Sequence, residues 1–237
     1  MATVAGVPVM TAVVLGVEVL VAINAPQLPA TEPYRLTIAG EESARHVVWL
    51  GDSTAAGVGA SSAANSVPHV VAARSAEPVD LTVLAVSGAK VGDVLTEQLP
   101  QMSSLQPDIV YISIGANDVN GLTSRSDFRR RYTQMLQTIP GDVTVVVLGI
   151  PDMGSVPRFA QPLRAIAGWR GRQLGSVVRE AAAARHVSYV DIAAKTGPAY
   201  RQNPGRYFSD DNFHPNDAGY ELWAGAVVER TALPTGR

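Results

Sequence analysis

The sequence predicts an α/β fold, a three-layer α/β/α sandwich around a five-stranded parallel sheet. Short apolar, β-branched runs alternate with segments of helical character along most of the chain. Those runs are almost continuously apolar, which implies burial on both faces and therefore a parallel sheet covered by helices. The length of 237 residues suits one sizeable core plus a small appendage.

The first element is hydrophobic. From Val4 to Ile23 the only charge is Glu18, and a run of this length matches one bilayer crossing. A cleaved signal would carry a positive start, yet no basic residue precedes Arg35, and Ala25 and Ala30 make poor cleavage points. An uncleaved anchor fits the length, although Glu18 would cost about 2.5–3.5 kcal/mol near the bilayer centre. The third reading is a hydrophobic helix docked on its own domain. Residues 1–24 are thus expected to be a membrane anchor or signal, with membrane association through residues 4–23 and a membrane-anchored or exported location; the docked helix leaves a cytoplasmic one.

Residues 25–44 are rich in Pro, Glu and Ala and read as a linker or a loose wrapping arm. Five strands are then expected at Val47–Leu50, Leu81–Val86, Ile109–Ile114, Val143–Ile150 and Val187–Ile192. Between them lie candidate helices at Ala63–Arg74, Val91–Leu99, Ser126–Ile139 and within Leu163–Arg185, and a last one at Asn216–Glu229. In such sheets the chemistry gathers beyond the carboxyl ends of the strands.

Composition removes several function classes. A net charge of −2 gives no footprint for nucleic acid. The run Arg129-Arg130-Arg131 sits in a polar helical stretch and reads as a solvated face. With no cysteine, disulfides, thiolate zinc sites and a cysteine nucleophile are all ruled out. There is no P-loop and no H-E-x-x-H; the loop "GVGASS" ends its glycine pattern in Ser62, unlike a dinucleotide loop.

Four short interruptions remain. "GDSTAAG" releases Ser53 at the end of the first core strand, and "SGAKVG" ends the second at Ser87-Gly88. "GANDVNG" ends the third at Gly115, followed by Asn117-Asp118. "SDDNFHPNDAG" sets Asp211 three residues before His214, with Pro215 opening the final helix. Each alone is an ordinary turn or helix-cap signal. The other histidines open a strand (His46), lie in a helix (His69) or join a helix to a strand (His186), and read as structural or surface residues.

Together the four carry chemistry. A serine nucleophile needs a base to take its proton and a third group to hold the base's tautomer, and Asp211 and His214 offer both from one turn. Acyl transfer also needs neutral donors where the oxyanion forms. The N–H at Gly88, unshielded by a side chain, the Asn117 amide and the Ser53 N–H are three such donors.

These blocks, in this order from about His46 to Tyr220, resemble the SGNH (GDSL) hydrolase family. The resemblance implies a flavodoxin-like fold for a hydrolase domain over residues 45–237, and ester hydrolysis with no cofactor and no metal. It implies Ser53 as nucleophile, His214 as general base and Asp211 as its orienting partner. Gly88 and Asn117 would complete the oxyanion hole with the Ser53 amide. Asp210 is a neighbouring rival, but the Asp-x-x-His spacing selects Asp211. Ser87 stands before Gly88, where some members carry another residue.

The expected function is a serine esterase acting on short or medium acyl esters, with a small-molecule, lipid or carbohydrate ester as partner and no nucleic acid. An O-acyltransferase using the same triad on a sugar or lipid hydroxyl is one alternative, and a non-catalytic ligand-binding module is another. "GDSTAAG" is no G-x-S-x-G elbow, which disfavours an α/β-hydrolase. The stretch Pro151–Trp169, with Met153, Phe159, Leu163, Ile166 and Trp169, either lines an acyl pocket, acts as a lid or packs a helix on the sheet.

Overall fold

A computed structural model describes residues 6–38 and 44–230, with the side chains of 6–12 outside the description. Its single sheet has the order β1-β3-β2-β4-β5-β6. The strands are β1 (Tyr34–Ile38), β2 (Arg45–Gly51), β3 (Val79–Val83), β4 (Ile109–Ser113), β5 (Thr144–Leu148) and β6 (Ser188–Val190). All neighbours pair in parallel except β1, which runs antiparallel to β3.

Six strands, not five, therefore make the sheet. The additional one, β1, lies inside the stretch read as a linker. Its side chains alternate between half-buried Tyr34, Leu36, Ile38 and exposed Arg35, Thr37, the period-two pattern of an edge strand with one wet face. The central strands behave as their composition demands. Val47–Gly51 of β2 and all of β4 are buried, and Trp49 stacks on its register partner Tyr111 with ring centroids 4.6 Å apart.

The helices are α1 (Gly6–Asn24), α2 (Ser53–Ala56), α3 (Val67–Ala73), α4 (Val91–Asp93), α5 (Leu99–Ser103), α6 (Ala116–Asn120), α7 (Arg125–Thr138), α8 (Leu163–Ala184), α9 (Ile192–Gln202), α10 (Pro204–Tyr207) and α11 (Asp217–Val228). A π turn, Val94–Gln98, joins α4 to α5. On α7 the arginine run is a solvated face, with Arg129 paired to Glu180 and Arg130 to Asp127. Asn216 caps α11 by accepting the Gly219 N–H at 3.0 Å, which fixes where the Asp211–Pro215 turn hands over to helix.

Residues 4 and 5 of the hydrophobic run lie outside the described residues. Among the described residues no helix is long and apolar enough to cross a membrane. From Gly6 the run is helical, and α1 rests against α8: the Glu18 carboxylate accepts the Leu163 N–H at 2.9 Å, and Ala22 packs on the core.

Candidate active site

The connections leaving β2 and β4 run to opposite sides of the sheet, to β3 and β5, and this reversal opens a crevice at their carboxyl ends. Ser53 enters it from β2. The approach is tight: a Cβ on Gly51 would stand 2.1 Å from the Ser113 carbonyl oxygen, so only glycine fits there. Buried Gln98 clamps the same residue, accepting the Gly51 N–H and donating to its carbonyl, each at 2.8 Å. Asp52 then caps α2 by accepting the Thr54 N–H, leaving Ser53 as its first residue.

His214 reaches Ser53 from far along the chain. Its Nε2 lies 2.9 Å from Ser53 Oγ, and its Nδ1 lies 2.6 Å from Asp211 Oδ2. Asp211 is only 4% exposed. Burial pushes its carboxyl up, but the His214 ring and the His214 and Phe213 N–H groups more than offset this and hold it well below the usual carboxylate range. An ionised carboxylate can only accept, so Nδ1 carries the imidazole proton and Nε2 is left to accept from the serine hydroxyl.

The Asp211 oxygens are well occupied. Oδ1 accepts the Phe213 and His214 N–H groups at 2.8 and 2.9 Å and the Ser209 hydroxyl at 2.9 Å. Half-buried Arg158 stands 3.3 Å from Oδ2, donates to the Asp211 carbonyl at 3.0 Å and lies over the Phe213 ring. Sequence reasoning missed Arg158 and Ser209. Neither has a local signal, because a lone Arg in a loop and a Ser before two aspartates are common on any surface. The rival Asp210 is exposed and plays no part in this cluster.

The two remaining blocks are stitched to each other. Asn117 Nδ2 donates to the Ala89 carbonyl at 3.0 Å, and the Asp118 carboxylate accepts the Val91 N–H at 3.0 Å. Asn117 thus spends one amide hydrogen on fixing its own plane beside the Gly88 turn. Gly88 has φ +82 with open space where a Cβ would go, so backbone conformation, not crowding, requires glycine.

Ser53, Ser87, Gly88, Asn117 and His214 line one cleft of about 690 Å³, with Asp211 behind His214. The structure therefore gathers all five predicted site residues. His46, His69 and His186 are not among the cleft residues. From the Pro151–Trp169 stretch, Phe159 and Leu163 line the cleft, Met153 is buried, and Ile166 and Trp169 are exposed. Among the described residues no group of three His, Cys, Asp or Glu could hold a metal ion.

Comparison with known proteins follows the same outline. The profile of the GDSL-like lipase/acylhydrolase family matches residues 49–222. A GDSL-like esterase of Mycobacterium tuberculosis is 33% identical over 186 residues, covering 76% of this chain and 59% of that protein's own length. An extracellular lipase from Streptomyces rimosus shares the fold with a TM-score of 0.62 at 23% identity, over 79% of this chain and 100% of that one. An acetyl xylan esterase variant from Geobacillus stearothermophilus gives a TM-score of 0.63 at 20% identity, over 81% and 97%.

Proposed function

We propose, from the premise that this chain belongs to the GDSL-like lipase/acylhydrolase family, that it hydrolyses carboxylic esters of short or medium acyl chains through an acyl-enzyme on Ser53. The observation that carries the reading is the chain of contacts from Asp211 through His214 to Ser53, at 2.6 and 2.9 Å. The esterase name of the mycobacterial relative supports it.

In the first half-reaction His214 Nε2 takes the Ser53 proton as Oγ bonds to the ester carbonyl carbon. The carbonyl electron pair moves onto oxygen, where the Ser53 and Gly88 N–H groups and the second Asn117 amide hydrogen stabilise it. Collapse of this intermediate breaks the bond to the alcohol oxygen, which leaves with the proton from His214. Water then attacks the acyl-enzyme, gives its proton to His214, and the returning electron pair expels Ser53 Oγ, which recovers that proton. Asp211 stays ionised throughout and stabilises the imidazolium.

Export is the location we propose beside that reading. The outer face of α1 exposes Val13, Val17, Leu20 and Val21, which suits an exported enzyme resting on lipid. The test of mechanism is hydrolysis of nitrophenyl acetate. Ser53→Ala should abolish turnover, and Asn117→Ala should lower it about 10²–10³-fold, or roughly 2.7–4 kcal/mol of transition-state stabilisation. Hydrolysis by Ser53→Ala at the wild-type rate overturns the mechanism.

A further inference from the structure

The cleft around Ser53 is not built from the hydrolase core alone. Val19, Ala22 and Ile23 of α1, with Gln27, Leu28 and Ala30 of the arm that follows it, line the cleft together with Phe159, Leu163 and Ala167. The family profile begins only at residue 49. One wall of the cleft therefore comes from outside the shared part of the chain.

Two polar contacts seat that wall. Leu163 is the first residue of α8, and the preceding Pro162 supplies no side-chain cap. Glu18 supplies one from another helix, its carboxylate accepting the Leu163 N–H at 2.9 Å. This explains the single charge in an otherwise apolar run: a carboxylate is favoured where a helix leaves N–H groups unpaired. Farther along, Arg158 Nη2 donates to the Pro26 carbonyl at 2.6 Å, and the same guanidinium rests on Asp211. The arm is thereby fixed in position relative to the carboxylate proposed to orient His214.

We infer that α1 is the acyl-side wall of the cleft, and that Val19 and Ala22, with the largely exposed Ile23 at the edge of the lining, set the length of acyl chain accepted. A medium-length apolar chain lies between these residues and Phe159, Leu163 and Ala167, with its carbonyl at Ser53 Oγ. The inference rests on the ester-hydrolase reading above, but it assigns specificity to a part of the chain that the family profile does not cover. Burial of each further methylene against this wall is worth about a fourfold gain in kcat/KM.

The test uses the full chain and nitrophenyl acetate, butyrate and octanoate, with the octanoate-to-acetate ratio of kcat/KM as readout. Wild type should favour octanoate. Ala22→Phe fills the space beside the acyl chain and should lower the ratio at least tenfold. Val19→Phe, on a more exposed residue of the same lining, should lower it in the same direction and serves if Ala22→Phe does not fold. Leu20→Ser, on a residue 60% exposed and outside the cleft lining, should leave the ratio unchanged. A ratio unmoved in both phenylalanine variants, with Ser53-dependent hydrolysis intact, overturns the wall and spares the mechanism. Hydrolysis that survives Ser53→Ala removes the mechanism instead.

Discussion

Asp52 shows how far one buried side chain departs from its behaviour in water. Burial pushes its carboxyl up to about 6, against hydrogen bonds from the Thr54 hydroxyl and N–H that pull it down. A folded-state value above the unfolded 3.8 means that the native protein binds this proton more tightly. Stability then falls as pH rises from about 4 to about 6, and above that range the full cost of about 3 kcal/mol is present. Asp52→Asn keeps an oxygen for Thr54 but carries no charge. It should raise Tm at pH 8 and change it little at pH 4, as thermal denaturation at the two values would show. An equal effect at both would mean that the carboxyl is not strained by burial. The residues of the candidate site were legible in sequence because each sits in a short motif of fixed spacing. Asp-x-x-His survives as a unit because one turn brings the Phe213 and His214 N–H groups and the His214 ring onto the same carboxylate.

At the scale of elements, helices with caps and apolar stripes were read to within a residue or so. The expected Ser126–Ile139 and Asn216–Glu229 correspond to α7 at Arg125–Thr138 and α11 at Asp217–Val228. Ser124 and Asn216 mark their starts through side-chain caps. The short β1 escaped notice because five residues between Pro-rich and polar neighbours give a weak period-two signal, and its partner β3 lies far along the chain. Glu18 makes a complementary point, since a charge that looks costly in a bilayer is a helix cap once α8 is beside it. Glu18→Ala should lower stability by about 1 kcal/mol, the usual worth of a cap, seen as a shift in urea midpoint. An unchanged midpoint would mean that the contact with Leu163 contributes nothing.

For the whole molecule, the decisive arrangement is the order β3-β2-β4, which puts the strands leading to Gly88, Ser53 and Asn117 side by side. The final turn closes over them, with His214 meeting Ser53 across 161 positions of sequence. Arg158 ties three distant parts together: the Pro26 arm, the loop that carries Arg158 itself and the Asp211 turn. Breaking a buried ion pair typically costs 3–5 kcal/mol, and roughly the lower end applies here because Asp211 keeps its other donors. Arg158→Met should therefore lose about 3 kcal/mol in denaturant unfolding and lower kcat on nitrophenyl acetate. Unaltered stability and kcat would show that the arm and the acid are not coupled through it.

By itself the sequence determined the layered α/β architecture and singled out the five residues that the fold gathers at one cleft. Both are written in local patterns, apolar runs in one case and fixed short spacings in the other. Tertiary structure alone decided which residues surround that site, because Arg158, Ser209 and the α1 residues that line the cleft come beside it through neighbours distant in sequence or through the turn that Asp211 organises. An apolar helix has no intrinsic way to distinguish lipid from the wall of a cleft. In the structure the Leu163 N–H at the start of α8 gives the Glu18 carboxylate a partner within the protein.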